Sequence, residues 1–445
     1  MEKLNKKMVL FTLPILLSLF IQALYGAVDL WAVGSFGTSN DISAVAIGSE
    51  FMQIVTQLIV GLTMGVTVLL ATNRGSGDIE NSRYIIGTSF RVFFVFGFVI
   101  SVITTVFSSF FAHLMNTPSE AFKETTIYIR VCGISSIAIV FFNLLSQIFR
   151  ALGDSRTPFV FVCITSILNV IGDYVLTKYF FLGTLGVAIA TALSQFISCI
   201  FMFIFIKVKG FGFEFTYKDI FVHKKFALSM LRLGTPIALQ SSITEASYAV
   251  VISFANTMGV LVSAGVGVAS KVIMFVYLVP TAFLQSVSVF TSESLGANNR
   301  KRAKDVLILS SLQAVFVGGI CAFVLFFFGD SVSSIFTDDI KIIEISWEYL
   351  KVCSVECLVL SYVYCLLGFL NGSKQTRFVM IEGLLAIFIV KIPYAFYATF
   401  ITTPRVYNIA LSDTLASIFQ LIVCLIYFLC VKHIRALKED HHTLE

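Results

Sequence analysis

The stretch Gly77-Asp78-Ile79-Glu80-Asn81-Ser82-Arg83, with Gly153-Asp154-Ser155-Arg156-Thr157-Pro158-Phe159 after it, has a second, substituted copy further along the chain. That copy reads Gly296-Ala297-Asn298-Asn299-Arg300-Lys301-Arg302 and then Gly372-Ser373-Lys374-Gln375-Thr376-Arg377-Phe378. In both copies the leading glycines are 76 residues apart, from 77 to 153 and from 296 to 372. A fixed period over this distance indicates a duplicated unit, here about half of the protein.

The composition is that of an integral membrane protein. The 445 residues are 57% hydrophobic and only 13% charged, with a mean hydropathy of +0.92, whereas soluble domains contain about 25% charged residues. The net charge of +5 does not indicate a nucleic-acid partner, because the basic residues lie at the ends of apolar runs. The nine cysteines lack the spacing of a disulfide framework or zinc site, and we expect no cofactor or bound metal.

Twelve apolar runs are long enough to cross a bilayer, which takes about 20 residues in a helix. They predict an all-α polytopic membrane protein, because the strands of a membrane barrel are short and alternate in polarity. The predicted spans are residues 9–34, 42–71, 85–111, 122–151, 157–180, 183–208, 227–256, 262–292, 304–329, 341–371, 376–402 and 406–433.

The basic residues predict the topology, since cytoplasmic loops carry an excess of Lys and Arg. Most of the 31 Lys and Arg residues lie on the side of the N-terminus, and the opposite loops hold only Lys123, Lys178, Lys341 and Arg405. We therefore expect both termini in the cytoplasm. Two six-helix repeats would share one orientation and be related by a pseudo-two-fold axis along the membrane normal. The predicted parts are an N-lobe (1–208), a cytoplasmic linker (209–226), a C-lobe (227–435) and a tail (436–445).

Duplicated halves in a membrane chain are typical of transporters, and charged groups within spans are costly and usually functional. Asp29 lies 15 residues after Pro14, roughly 22 Å along a helix. Asp173 reaches a similar depth in the fifth span, and Asn169 precedes it by one helical turn on the same face. Such a pair of acids could take up a proton or share a monovalent cation, or the two could be structural carboxylates bound by neighbouring helices.

Other polar or kinking residues within the spans have weaker interpretations. Glu245 is a possible cavity residue, and the partners of Lys271, Glu356, Glu382 and Lys391 stay open. Pro14 and Pro236 occupy equivalent positions in the two halves. Each either bends its helix during gating or forms a static kink.

Taken in order, these residues resemble the multidrug and toxic compound extrusion (MATE) family, in its DinF-type prokaryotic branch. The resemblance covers essentially the whole chain. The matching residues are Pro14, Gln22, Tyr25, Asp29, Gly34, the loop 153–158, Asn169, Asp173, Thr191, Pro236, Gln240 and the loop that begins at Gly296.

The resemblance implies two six-helix lobes that export drugs or other organic, often cationic, compounds by alternating access, driven by inward H⁺ or Na⁺. Asp29 and Asp173 would be the coupling acids, with Asn169 and Thr191 as neutral ligands. Gln22, Tyr25 and Gln240 would line the substrate cavity. A second branch couples Na⁺ through a C-lobe glutamate, but Thr244 stands at that position here and Glu245 is one residue later.

We also expect a monomeric, multi-pass protein of the plasma membrane. We expect no enzymatic activity, because an embedded enzyme would need a water-exposed catalytic motif or a sizeable outside loop, and the sequence offers neither. The alternative is a lipid-linked oligosaccharide flippase of the same superfamily, although deep basic residues are few. With the loop offset of 219 residues, Asn169 and Asp173 correspond to Phe388 and Ile392 in the second half. With the offset of 222 between Pro14 and Pro236, Asp29 corresponds to Val251. We therefore expect the ion chemistry in the first half alone.

Overall fold

The protein is an all-α polytopic membrane protein, as the sequence predicts. The computed structural model describes residues 2–401 and 405–442. Within these residues, twelve helices are long and apolar enough to cross a membrane. The α-helices are α1 (Glu2–Phe36), α2 (Ser39–Ser76), α3 (Ile79–Val106), α4 (Ser108–Leu114), α5 (Phe122–Ala151), α6 (Arg156–Lys178), α7 (Gly183–Lys209), α8 (Lys224–Asn256), α9 (Val260–Gly296), α10 (Arg300–Ser333), α11 (Ile340–Gly372), α12 (Thr376–Leu385), α13 (Ile392–Phe400) and α14 (Val406–His442).

Two of the predicted spans are interrupted. The third divides at Phe107 into α3 and the short α4. The eleventh consists of α12, a π-helical turn at Ala386–Lys391, and α13. Pro393, the second residue of α13, has no N–H to give to the preceding turn. The predicted tail at 436–445 is helical up to His442, and its last three residues lie outside the described part of the chain.

The duplicated loops are turns between consecutive helices. The residues that correspond to each other in the two copies differ from those that the glycine positions predict. Gly77 ends α2 with φ +73°, and Asp78 then accepts a hydrogen bond from the Asn81 N–H at 3.0 Å. After α9, the left-handed residue is Asn298, and Asn299 accepts from the Arg302 N–H at 2.9 Å. The structural equivalent of Gly77 is thus Asn298, two residues beyond the expected Gly296.

The second loop pair shows the same displacement. Gly153 has φ +85°, and the left-handed residue after α11 is Lys374 with φ +64°, rather than Gly372. The period of 76 residues is retained, from 298 to 374. The glycine alignment was wrong because it matched residue type, whereas the turn requires one backbone conformation that other residues can adopt at a cost.

The chain divides into two compact units that do not follow the two halves of the sequence. The first contains residues up to Glu245 together with Ser288–Val306 and Gly372–Thr376; the second contains Ala246–Val287, Leu307–Asn371 and the chain from Arg377 onward. The first unit therefore includes the start of α8 and the end of α9. The lobe boundaries predicted from the sequence stay a prediction.

Small residues allow close helix packing inside the first unit. A Cβ atom at Gly61 would overlap the backbone of Ala238, and one at Gly234 would overlap the Leu62 carbonyl oxygen. Farther along, Gly75 lies against the Glu293 carbonyl oxygen in the same way. Helix α2 thus packs backbone to backbone against α8 and α9 over its second half, from Gly61 to Gly75.

The segment between α7 and α8 is held against α3. Arg83 Nη2 donates to Asp219 Oδ2 at 3.0 Å, and Thr88 Oγ1 donates to the Phe221 carbonyl oxygen at 3.1 Å. A Cβ atom at Gly87 would overlap the Asp219 carbonyl oxygen. We refer to residues 210–223 as the linker strap.

Candidate functional site

The two predicted coupling acids meet inside the first unit. Asp29 on α1 lies in side-chain contact with Asp173 and Asn169 on α6. The three side chains are 4%, 0% and 1% exposed, respectively. Since residues four apart on a helix share a face, Asn169 and Asp173 both point at Asp29. The sequence therefore identified two helices that are brought together across one buried site.

Thr191 on α7 completes the group. Asn169 Nδ2 donates to Thr191 Oγ1 at 3.2 Å. The same group is flanked by Tyr128 and Cys132 of α5, which lie within electrostatic range of Asp29. Four of the predicted residues thus form one cluster, which we call the acid site: Asp29, Asn169, Asp173 and Thr191.

The acid site is rich in acceptors that have no donor. Asp29 Oδ1, both Asp173 carboxyl oxygens and Asn169 Oδ1 are buried without a hydrogen-bond partner in the structure. Two carboxylates in contact offer acceptors only, unless one of them carries a proton. Because an unpaired buried charge is costly, this arrangement is suited to holding a proton or a monovalent cation.

The other predicted site residues lie on α1 and α8. Gln22 and Tyr25 are half-buried on α1, and Tyr25 lies within electrostatic range of Asp29. Gln240 and Glu245 are half-buried on α8. The contacts that join Asp29, Asn169, Asp173 and Thr191 are formed by α1, α6 and α7.

Sequence reasoning missed a buried charged group in the second unit. Lys391 Nζ, in the π turn, lies 2.7 Å from Asp413 Oδ1 on α14, and the two side chains are 4% and 6% exposed. The ammonium also lies 3.3 Å from the centre of the Tyr248 ring. Asp413, like Asp29, is an acid within an apolar span. The criterion that selected Asp29 as a candidate would therefore also have selected Asp413.

Glu356 on α11 lies beside this ion pair. It is 1% exposed, is within electrostatic range of Lys391 and Asp413, and accepts a hydrogen bond from Ser417 Oγ at 3.4 Å. Its Oε2 is buried without a donor. The second unit thus has buried charged groups of its own, among them Glu356 and Asp413 beside the Lys391 ammonium. The expectation that the coupling-ion chemistry lies in the first half alone stays a prediction.

A duplicated chain whose described residues form twelve helices long and apolar enough to span a membrane, with ionisable groups buried among them, is typical of an integral membrane transporter. The sequence model of the MatE family matches this chain twice, over residues 14–175 and 236–397. The two matches together cover most of the chain and confirm the duplication. The protein belongs to the MatE family and is a transporter rather than an enzyme.

The double match also corrects which residues of the second half correspond to those of the acid site. Asn169 and Lys391 both lie six residues before the ends of the matched segments, at 175 and 397. Lys391 therefore takes the place of Asn169, and the earlier assignments to Phe388 and Ile392 are wrong. The places of Asp29 and Asp173 are taken by Val251 and Ala395, so the pair of acids itself has no copy.

Comparisons with individual proteins agree with the family. The chain is 24% identical over 398 residues to the probable multidrug resistance protein YoeA of Bacillus subtilis (strain 168), with 88% of this chain and 86% of the relative covered. It is 23% identical over 421 residues to the multidrug export protein MepA of Staphylococcus aureus (strain N315), covering 94% and 93%.

The fold also matches solved structures. An outward-facing multidrug resistance MATE family transporter of the MOP superfamily superposes with a TM-score of 0.88 at 20% identity, with 98% of this chain and 96% of that chain covered. At this identity the likeness establishes the fold alone.

Proposed function

We propose that this protein is a secondary active antiporter that exports drugs or other organic, often cationic, compounds in exchange for inward H⁺ or Na⁺. YoeA and MepA, which the chain resembles over most of its length, are described as multidrug resistance and multidrug export proteins. The observation that carries the coupling part of the proposal is the contact between Asp29 and Asp173.

The acid site would hold the coupling ion. Two buried carboxylates in contact repel each other when both are charged, so the site is stabilised by one shared proton or by one Na⁺. Asn169 and Thr191 would supply neutral oxygen atoms for a cation, which prefers such ligands. Loading and unloading this site changes the charge between α1 and α6, and a ligand that favours one arrangement of helices shifts the population toward it.

Alternating access would require the packing around α2 to open. Glu293, near the end of α9, lies 3.6 Å from Arg74 on α2 and 3.8 Å from Lys7 on α1, and Arg302 Nη2 donates to it at 3.1 Å. We call these four residues the Glu293 cluster. Passage of a substrate on this side would have to break the cluster and the backbone contacts of Gly75 and Gly296.

Pro14 and Pro236 would be the points at which α1 and α8 bend. Pro236 lies between Gly234 and Ala238, two of the positions where the backbone of α8 packs directly on α2. A missing N–H weakens the helix at this point, so bending there would separate α8 from α2.

The substrate would meet neutral polar and aromatic groups of α1, namely Gln22 and Tyr25, and the side chains of Gln240 and Glu245 on α8. An aromatic face and a carboxylate are the groups that recognise organic cations. The distribution of Lys and Arg supports cytoplasmic termini in a plasma membrane, and we propose that the monomer is the transporting species.

The test is efflux of a panel of organic cations from sealed proteoliposomes, first under an imposed pH gradient and then under a Na⁺ gradient alone. Asp29→Asn and Asp173→Asn should each reduce gradient-driven transport at least a hundredfold, because each removes one half of the ion site. Asp338→Asn, at an exposed acid outside the site, is the matched control and should transport normally.

Thermal denaturation first establishes that Asp29→Asn and Asp173→Asn are folded. The proposal fails if both of these variants then transport as well as the control. Efflux of an organic cation that continues with no gradient of either ion would also contradict antiport. Dependence on the pH gradient alone, or on Na⁺ alone, identifies the coupling ion.

The flippase alternative has weaker support from the structure. A carrier of a pyrophosphate-linked sugar needs free basic groups in its interior, but the buried Lys391 is already bound to Asp413. Assay of a fluorescent lipid-linked oligosaccharide in the same vesicles distinguishes the two functions.

A further inference from the structure

An open groove lies on the first unit. It has a volume of about 440 Å³ and lies between α3, α5 and the linker strap. Its lining is formed by Phe90, Arg91, Phe94, Val95, Phe141 and Ile220.

The floor of the groove is a packed aromatic group. The Phe90 ring lies 6.5 Å from that of Phe141 and 5.8 Å from that of Phe215 in the linker strap. Phe203 of α7 lies 5.6 Å from Phe141 behind them. Rings held by three helices and the strap form a preformed apolar surface rather than one assembled by a ligand.

The outer edge of the groove faces away from the protein. Phe94 and Val95 are 54% and 60% exposed on a helix that is long and apolar enough to span a membrane. In such a helix, exposed apolar side chains contact lipid chains. Whatever occupies the groove therefore enters from the bilayer.

Arg91 is the single charged residue in the lining of this groove, and among the side chains that the structure describes it has no acidic partner. Its side chain is exposed, and its guanidinium carbon lies 5.9 Å from the centre of the Phe221 ring. A guanidinium beside lipid chains is costly unless an anion meets it.

The strap fixes the depth of Arg91 in the membrane. Ile220 and Phe221 are at the level of Arg91, and the strap joins two helices whose ends carry Lys207, Lys209, Lys224 and Lys225. Basic clusters of this kind mark the membrane surface and attract anionic lipids. The guanidinium thus lies near the head groups, and the exposed Phe94 and Val95 lie deeper, one helical turn further along α3.

From this geometry we infer that the groove is a binding site for an anionic phospholipid of the adjoining leaflet. The phosphate accepts hydrogen bonds from the planar guanidinium of Arg91, which suits bidentate binding. One acyl chain lies along Phe94 and Val95 on the aromatic floor. Because the strap supplies Ile220 and Phe221, a bound lipid also holds the strap against α3.

The test is native mass spectrometry of the full-length protein in detergent, titrated with phosphatidylglycerol and separately with phosphatidylcholine. Wild type should retain one phosphatidylglycerol in preference to phosphatidylcholine. Arg91→Gln should weaken phosphatidylglycerol retention about five- to tenfold, as expected for the loss of one basic contact to an anionic lipid, and should leave phosphatidylcholine unchanged. Phe94→Ala should weaken both lipids.

Two variants serve as controls. Arg91→Lys keeps the charge and should retain most of the preference, which also shows that the position tolerates substitution. Lys123→Gln, at an exposed basic residue elsewhere, should behave as wild type. Equal weakening by Lys123→Gln, or no effect of Arg91→Gln in a folded protein, overturns the site. Displacement of the lipid by millimolar inorganic phosphate would show an anion site without a lipid groove.

Discussion

Lys391 Nζ lies 2.7 Å from Asp413 Oδ1, and this ion pair stands where the first unit has a neutral hydrogen bond between Asn169 and Thr191. Both pairs join residues 22 apart in the chain. The two units therefore share a contact between equivalent helices, which is a neutral hydrogen bond in the first unit and an ion pair in the second. In the first unit it lies beside two acids with three buried carboxyl oxygens that have no donor, Asp29 Oδ1 and both oxygens of Asp173, and in the second it includes its own cation.

Removing that cation should destabilise the protein strongly. Lys391→Met leaves Asp413 buried without a partner, which typically costs about 3–5 kcal/mol. Thermal denaturation of the purified protein should show a large loss, whereas Lys341→Met, at an exposed lysine, should show almost none. The double variant Lys391→Met, Asp413→Leu should recover most of the stability, because the buried charge is gone. A Lys391→Met protein as stable as wild type would show that the pair is not essential to the fold.

The Glu293 cluster should control how readily the ends of α2 and α9 separate. Glu293→Gln removes the carboxylate, and partly exposed pairs contribute up to about 1 kcal/mol each. Hydrogen exchange in residues 288–296 should therefore increase roughly tenfold. Glu348→Gln, at an exposed acid of α11, should leave that peptide unchanged. Unaltered exchange in Glu293→Gln would mean that backbone packing at Gly75 and Gly296 holds this end alone.

The left-handed turns should respond in opposite ways to glycine. Lys374 adopts φ +64°, a conformation that costs an L-residue about 1–2 kcal/mol. Lys374→Gly should therefore raise the melting temperature slightly. Gly153→Ala should lower it, since φ is +85° and the new Cβ would also overlap the Arg74 guanidinium. A destabilised Lys374→Gly protein would show that the lysine side chain makes a contact worth more than the strain.

The linker strap should loosen in acid. Hydrogen bonds from the Thr216 N–H at 2.7 Å and from Arg83 hold the pKa of Asp219 below its usual value. A carboxyl group whose pKa is lower in the folded state than in the unfolded state stabilises the folded protein at pH values above its unfolded-state pKa, which is about 3.9 for Asp. This stabilisation is lost as the pH falls through the pKa of the folded state. Exchange in residues 211–223, corrected for intrinsic rates, should thus be constant from pH 7 to 5 and rise only below about pH 4.

Asp219→Asn is the comparison for that experiment. It removes the charge at every pH, so its strap should exchange faster than wild type at pH 7 and should change little on acidification. If wild type and variant follow the same pH curve, Asp219 does not hold the strap.

Most of the architecture could be predicted from the sequence because hydropathy and length determine a membrane span. Asp29, Asn169 and Asp173 could be placed in one cluster because an acid within a span is rare and helical spacing fixes its face. The partner of Lys391 could not be predicted, since a contact between α14 and the π turn depends on how two distant segments pack.

The loops show a second limit. Gly296 and Gly372 resemble their counterparts in letter and spacing, yet the turns form two residues later, at Asn298 and Lys374. Glycine is the usual residue at a left-handed position but is not required there. Sequence alone thus identified the period correctly and its register wrongly.

The π turn at Ala386–Lys391 bears on the history of the duplication. The two copies are 221 residues apart at Gly153 and Lys374 but 222 apart at Asn169 and Lys391, so the second copy has one extra residue between these points. In an ordinary helix, one insertion would rotate everything beyond it by about 100°. A turn in which the Ile392 N–H donates to the Ile387 carbonyl oxygen absorbs that residue. The second copy could therefore gain a residue within a span while Lys391 still contacts α14, as Asn169 contacts α7 in the first copy. The two halves thus diverged in charge and kept this contact.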